Sequence, residues 1–505
     1  MLEIRFWKVL LIGLILGAVL FAALSLWEKL PPSPPNLLLI SVDALRADHL
    51  GCYGYPRPTS PHIDALAARG VLLERFLTPR GLTYPALSTL LTGLECHHHR
   101  SRYNFQVPED SVTLAHILGE QGYQCRAYLA NADEMIRVGF DDASEGFSHI
   151  INHTKRDLAI TERGVRFLQE QAQARRKSFF LWLHYMSPHR PYKPPEPWER
   201  GLDGQSPRSS KYYDERLERY MQARADLSGG TLEAILNYYD GCVAFVDSLV
   251  AEVLAALEEQ GLDDNTLVVF TADHGEELYE HLHYFLHQLS MYDGTLHIPL
   301  ILYWKGKLPQ GLRVSEPVGL VHLMPTLLEL LGLDLEHEVD GESFRPLVQS
   351  YTGDRPPREA QAIRNNWLFR PVLLEMVLEE GCAYGVYRHP HKYIFLEEAV
   401  GFHTQPAAVP GRPVTTHVYP PLQLFDLVRD PKEKENLVEK RPELQAELHP
   451  IVQEKLLSFT DCLEDRFPET DSIEPHVLEA LEAMGYVVPG HSKREPPSEP
   501  IPTIR

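Results

Sequence analysis

"NLLLISVD", residues 36–43, is an unbroken apolar run of strand length that stops on an acid. A strand buried on both faces reads as continuous hydrophobics, the habit of a parallel sheet covered by helices. Two further runs share the pattern, "SFFLWLHYMS" (178–187) and "NTLVVFTADHG" (265–275). "IPLILYW" (298–304) reads as one more strand, with "LVHLMPTLLELLGL" (320–333) as the helix after it. Helical patterns fill the intervals: "SPHIDALAARG" (60–70) with its Gly stop, then Thr113–Gln121, Asp157–Ala174 and Thr231–Glu259. Strands alternating with helices predict an α/β fold on a parallel sheet.

The C-terminal edges of these strands carry the chemistry. The first ends in Asp43, the second runs into His184 and His189, and the third into Asp273 and His274. In an open α/β sheet that edge is where ligands bind. Any one of these residues alone has a plain structural reading, as a helix cap or a satisfied buried imidazole. Their coincidence at three strand ends favours a site. Asp43, Asp273 and His274 offer two carboxylates and an imidazole, ligands suited to one divalent ion, Zn²⁺, Mn²⁺, Mg²⁺ or Ca²⁺. In "LTYPALSTLLTG" (82–93), Thr83 stands at the predicted start of a helix. The N–H groups and dipole of that turn favour an incoming anion, and a metal would acidify the hydroxyl. These parts suit transfer or hydrolysis of a phosphate or sulfate ester. Arg46 and Asp48 lie close enough in sequence to orient Asp43. "HHHR" (97–100) is a histidine-rich turn, though adjacent residues on a turn seldom converge on one ion.

The chain has 505 residues, 44% apolar and 23% charged, the balance of a globular protein, and a formal net charge of −22 that argues against nucleic-acid binding. The uncharged run Val9–Trp27 follows Arg5 and Lys8. It is long enough to span a bilayer, and the preceding cations place the N-terminus in the cytoplasm. Without an A-x-A-like site it reads as an uncleaved single-pass anchor rather than a cleaved signal peptide. The expected layout is a stub, anchor and "PPSPP" spacer over 1–35, a catalytic domain over 36–345, a C-terminal subdomain over 346–488 and a disordered tail over 489–505. Within the subdomain, "YGVYRHPHKYIFLEE" (384–398) and "PLQLFDL" (421–427) read as antiparallel strands, with helices near 442–459 and 474–484. The six cysteines are scattered, which leaves disulfides and free thiols both open. Asn152-His153-Thr154 is a glycosylation sequon.

"NLLLISVDALRADHLGCYGYPRPTSPHIDALAARGV", "LTYPALSTLLTGL", "HYMSPHRPY" and "TADHGEEL" resemble, in order, the blocks of the sulfatase family of the alkaline phosphatase superfamily. "QLFDLVRDPKEKENLV" and "HVLEALEAMGYVV" resemble its closing segments. The resemblance implies an alkaline-phosphatase-like α/β sandwich on a mostly parallel sheet, with a smaller C-terminal α+β domain bearing a short antiparallel sheet. It assigns Asp43, Asp273 and His274 to the metal. It places His189 against the transferred group, and His287 where the substrate is held or the leaving group protonated. It leaves His281 and His283 as further ligand candidates.

Two departures bear on the chemistry. Ala44 stands where the family often has a second Asp. In the signature C/S-x-P-x-R, whose Cys or Ser becomes formylglycine, Thr83 takes the nucleophile's place and Leu87 that of the arginine. Oxidised threonine would be a ketone, so no formylglycine is expected and Thr83 would attack directly, forming a covalent ester. Phosphate esters suit that route better than sulfate esters. Threonine serves as nucleophile in related phosphodiesterases and in membrane-anchored phosphoethanolamine and phosphoglycerol transferases. The expectation is therefore a metal-dependent hydrolase of small-molecule, glycan or lipid esters. Its alternatives are a phosphoryl transferase acting on an envelope lipid or glycan, a true sulfatase, and a non-catalytic binding protein.

Overall fold

The computed structural model describes residues 34–459, apart from 100, 102–110, 131–138, 142–143, 147–151, 175–176, 201, 203–230, 282–284, 286, 288–289, 379–380, 397–400, 403–416 and 419. Val9–Trp27, His283, the helix expected near 474–484 and the tail over 489–505 lie outside the described residues. Among the described residues, no helix is long and apolar enough to cross a membrane.

A nine-stranded sheet organises the larger part of the chain. Its strands are β1 (Asn36–Val42), β2 (Val71–Leu77), β3 (Gln124–Leu129), β4 (Glu145–Gly146), β5 (Phe179–Tyr185), β6 (Thr266–Ala272), β7 (His297–Tyr303), β8 (Leu312–Val314) and β9 (Val318–Gly319). They lie in the order β4-β3-β5-β1-β6-β7-β2-β8, with β9 also pairing with β2. β1 sits in the middle, parallel to β5 on one side and β6 on the other. Every residue of β1, β5 and β6 is buried, as the unbroken apolar runs demand. Each large aliphatic side chain so removed from water contributes roughly 1.5–3 kcal/mol. Only β7 runs against the others, antiparallel to both β6 and β2.

β2, β3, the short strands β4, β8 and β9, and the strand Val372–Leu378 of the C-terminal part escaped the sequence reading. In β2 the register shifts between Leu73 and Phe76, where Glu74 and Arg75 interrupt the apolar run, so neither a continuous nor an alternating pattern is legible. The expected helices are present as Pro61–Arg69, Leu114–Glu120, His153–Ala174, Thr231–Glu259 and Leu323–Leu331.

A second, antiparallel sheet follows, in the order β10 (Val372–Leu378), β11 (Gly381–Arg388), β12 (His391–Leu396) and β15 (Leu422–Asp426). A two-stranded ribbon, β13 (Gly401–Phe402) and β14 (His417–Val418), lies between β12 and β15 in sequence. One face of the four-stranded sheet packs Leu374, Met376 and Phe425 against Leu77, Met291 and Leu296 of the larger part. Its other face packs Tyr393 and Leu424 against Leu448 and Val452 of the helix Pro442–Phe459. Charge also crosses this junction. The fully buried Lys392 ammonium lies 2.5 Å from Asp293 and 2.7 Å from Glu433, and Arg75 reaches Asp293 at 2.5 Å.

Candidate active site

The ends of β1 and β6 bring the predicted ligands together. Asp43 follows the last residue of β1 and donates its N–H to the Tyr185 carbonyl at 2.8 Å. Asp273 and His274 follow β6. Oδ1 of Asp273 accepts from the Ala44 N–H at 3.2 Å and the His274 N–H at 2.7 Å, so backbone donors hold that oxygen. Its Oδ2 is buried with no hydrogen-bond partner and lies 3.5 Å from His274 Nε2. His274 Nδ1 lies 2.9 Å from the Gly275 carbonyl, which only accepts, so Nδ1 carries the proton and Nε2 a lone pair. Nε2 is 3.7 Å from Asp43 Oδ1.

One ligand atom from each of Asp43, Asp273 and His274 falls within 4.8 Å of the others, and all three residues are fully buried. Two buried carboxylates and an imidazole lone pair facing one point fit a divalent cation, since without one the carboxylates would repel in a low-dielectric site. The electrostatics show the same pressure. Burial, and then the neighbouring Asp43, pushes Asp273 well above the usual carboxylate range. Burial alone would raise Asp43, but His189, followed by His184 and His274, holds it well below that range.

Thr83 opens the helix Thr83–Thr92, whose N-cap, Leu82, is extended and whose end is a left-handed Gly93 with φ 66°. Its Oγ1 lies 3.2 Å from His274 Nε2 and 3.5 Å from Asp43 Oδ2. The approach of this turn requires a glycine, because a Cβ on Gly81 would fall 2.7 Å from the His287 carbonyl. Leu87, in the signature's arginine position, is fully buried in the hydrophobic core.

His189 and His287 complete the wall. His287 stacks on His274 with ring centroids 4.2 Å apart, and His189 meets His287 edge-on at 5.1 Å. His189 Nδ1–H donates to the Arg190 carbonyl at 2.6 Å. Burial pulls His189 down to about 4 and, with His274 beside it, pulls His287 well below the usual imidazole range, so both rest neutral near pH 7. Gly275 lets the following loop pack, since a Cβ there would meet the Gly294 carbonyl at 2.1 Å.

Glu276 joins the site although the sequence reading did not name it, and the strand-end His184 joins it without having been given a role. Glu276 is fully buried, and its Oε1 lies 3.0 Å from His287 Nδ1. It stands two places after His274 in "TADHGEEL", but nothing in sequence ties it to a histidine eleven residues on. His184, visible only as a strand-end histidine, places Nε2 3.7 Å from Asp43 Oδ2.

Two expectations are corrected. His281 is not beside the metal cluster. Its ring stacks on Tyr292, Nδ1 pairs with Glu277 at 3.2 Å, and Nε2 reaches the carbonyls of Lys432 and Glu433 at 3.1 and 3.3 Å. Its pairing with Glu277 and its reach to the backbone at 432–433 turn it towards the C-terminal segment instead. Arg46 does not orient Asp43 through its side chain. Its guanidinium binds Asp48 at 2.8 Å, Glu280 at 2.6 Å and the Glu276 carbonyl at 3.0 Å, so it fastens the loop after His274.

Residues 35–333 match the family model described as Sulfatase. Arylsulfatase K of Gallus gallus is 26% identical over 494 residues, covering 87% of this chain and 86% of that protein. The ulvan-active sulfatase of Formosa agariphila is 24% identical over 469 residues, with 86% and 83% covered. Among solved structures, the phosphonate monoester hydrolase of Agrobacterium radiobacter superposes with a TM-score of 0.62 at 21% identity, over 84% of this chain and 95% of that one.

Proposed function

As this chain belongs to the sulfatase family and is a sulfatase-like hydrolase, we propose that it cleaves esters of a tetrahedral oxyanion with unmodified Thr83 as the nucleophile. The observation that carries this reading is the buried Thr83 hydroxyl 3.2 Å from His274 Nε2 and 3.5 Å from Asp43 Oδ2. Asp43 and Asp273 Oδ2 with His274 Nε2 would hold one divalent ion. When bound, that ion supplies Lewis acidity and lowers the pKa of a nearby hydroxyl.

Thr83 Oγ1 forms a bond to the central phosphorus or sulfur, the ester oxygen departs with the bonding pair, and the Oγ1 proton is given up. His287 is built to handle that proton. Its Nδ1–H is anchored on Glu276 Oε1 at 3.0 Å, so Nε2 accepts, and the carboxylate stabilises the imidazolium that forms. The imidazolium then returns the proton to the leaving oxygen. In the second half, water adds to the central atom, its proton passes to His287 Nε2, and the bond to Oγ1 breaks, Oγ1 regaining a proton.

Phosphate esters are the first reading, because water can open a threonyl phosphate by in-line attack at phosphorus. Sulfate esters, including those of sulfated glycans, are the second, favoured by relatives named arylsulfatase K and ulvan-active sulfatase. The test is to quench turnover of chromogenic phosphate mono- and diesters and sulfates in acid and map the adduct by mass spectrometry. Phospho-Thr83 supports the first reading and sulfo-Thr83 the second. Oxidation of residue 83 to its ketone, or turnover undiminished in Thr83→Ala, rules out direct attack by Thr83. The run Val9–Trp27 supports a single-pass anchor with the catalytic part outside the cytoplasm. Protease digestion of cells with outer barriers opened and the cytoplasmic membrane intact tests that placement, and complete protection would overturn it.

A further inference from the structure

A line of four fully buried polar groups runs along one face of the sheet behind the metal cluster. Trp182 and His184 are two residues apart on β5, and Ser41 and Asp43 two apart at the end of β1, so each pair projects on one side. Ser41 lies opposite His184 in the register. Trp182 Nε1 lies 2.8 Å from Ser41 Oγ, Ser41 Oγ lies 2.8 Å from His184 Nδ1, and His184 Nε2 lies 3.7 Å from Asp43 Oδ2.

The donor inventory gives this line a direction. An indole N–H only donates, so Ser41 Oγ accepts from Trp182. If His184 Nδ1 also donated to Ser41, the serine proton would have no acceptor in this line and a neutral ring would turn a lone pair towards the Asp43 carboxylate. Both faults cost free energy in a buried site. With the serine proton donated to Nδ1, Trp182 and Ser41 are both satisfied, and Nε2–H points its positive end at the Asp43 carboxylate 3.7 Å away, a charge–dipole contact rather than a hydrogen bond.

We propose that Trp182 and Ser41 hold His184 as its Nε2–H tautomer, making His184 a positioning residue that orients Asp43 for the metal and not itself a metal ligand. This inference rests on the reading of Asp43 as a ligand. Partners of this kind typically change metal affinity by about 10–100-fold. No proton is transferred. The line acts by fixing which Asp43 oxygen stays turned to His184 and which faces Asp273 and His274.

Two measurements on the folded protein test it. The first is ¹⁵N NMR of the His184 ring, which distinguishes the two tautomers without any metal. The second is calorimetric titration with Ca²⁺, Mn²⁺ and Zn²⁺ of wild type, His184→Ala and the double variant Ser41→Ala/Trp182→Phe. The double variant removes donor and acceptor together, so no indole N–H is stranded. The expected results are a protonated Nε2 in wild type, loss of that preference in the double variant, and Kd raised about 10–100-fold in both variants. An Nδ1–H tautomer, a Kd unchanged in folded variants, or direct metal coordination at His184 Nε2 would overturn the proposal. If wild type binds no divalent ion, the reading of the cluster as a metal site fails, and the tautomer measurement still decides the direction of the line.

Discussion

Thr83 Oγ1 and His274 Nε2 stand 3.2 Å apart although 191 positions separate them in the chain, and neither is exposed. The hydroxyl faces the lone-pair end of the imidazole, because the other ring nitrogen is tied to the Gly275 carbonyl. Thr83→Ala is expected to lower kcat by roughly 10³-fold or more, and Thr83→Ser to retain a measurable part of it. Steady-state kinetics with matched melting curves check this. An alanine variant with near wild-type turnover would remove Thr83 from the reaction.

The crowded carboxylates predict opposite signs with and without metal. Asp273→Asn removes one of two buried acids while its Oδ1 keeps both backbone N–H donors. The metal-free variant should melt higher than metal-free wild type. Added metal should stabilise wild type by about 2.7 kcal/mol at 100 times its Kd and the variant much less. Equal metal-induced shifts in the two proteins would show that the ion binds elsewhere.

Glu276→Gln tests the carboxylate behind His287. The amide oxygen can still accept from Nδ1–H, so the ring keeps its place while the imidazolium loses its counter-charge. The expected signature is a fall in kcat of about 10–100-fold with KM little changed. Glu276→Ala should also lose roughly 1–3 kcal/mol of stability by leaving the buried Nδ1–H unpaired. Full activity in Glu276→Gln would reduce Glu276 to packing.

Asp157, outside the cluster of Asp43, Asp273 and His274, sets a pH dependence of its own. Burial pushes its carboxyl from 3.8 up to about 7, against the Met186 N–H that donates to Oδ1 at 2.8 Å. Between those values the folded state holds a proton that the unfolded state releases. Stability from this group is therefore full below 3.8 and is lost as pH rises through about 7, by a few kcal/mol at most. Asp157→Asn should flatten that slope and leave the variant the more stable at pH 8. Urea midpoints across pH measure it, and an unchanged slope would locate the titration in another group.

Lys392 holds the junction between the two sheets. Its buried ammonium neutralises Asp293 and Glu433 at 2.5 and 2.7 Å. Lys392→Met would strand the buried Glu433 while Arg75 still holds Asp293, and is expected to cost about 3–5 kcal/mol. A thermal midpoint indistinguishable from wild type would mean that water enters the junction.

Most of the fold was legible because burial on both faces leaves a plain trace. β1, β5 and β6 are fully buried, so each appears as an apolar run, and the polar residue ending each run marks the edge where side chains can meet. β2 was not legible, since its register shift and two mid-strand charges erase the period. Asp43, Asp273 and His274 were nameable as candidates for the same reason, whereas Thr83 was marked by its place at a helix start and the departure at Leu87 only by the resemblance to the family signature.

The sequence by itself therefore determined the central strands, the three strand ends and the presence of a threonine where the family has its modified residue. Only the tertiary structure decided which groups act on one another. It turned His281 towards Lys432 and Glu433, set Glu276 behind His287, and aligned Trp182, Ser41 and His184 behind Asp43. The physical reason is that hydrophobic periodicity encodes burial, which each segment carries alone. Hydrogen-bond direction and charge pairing belong to pairs of atoms, and those pairs exist only after the sheet has brought distant segments within about 3 Å.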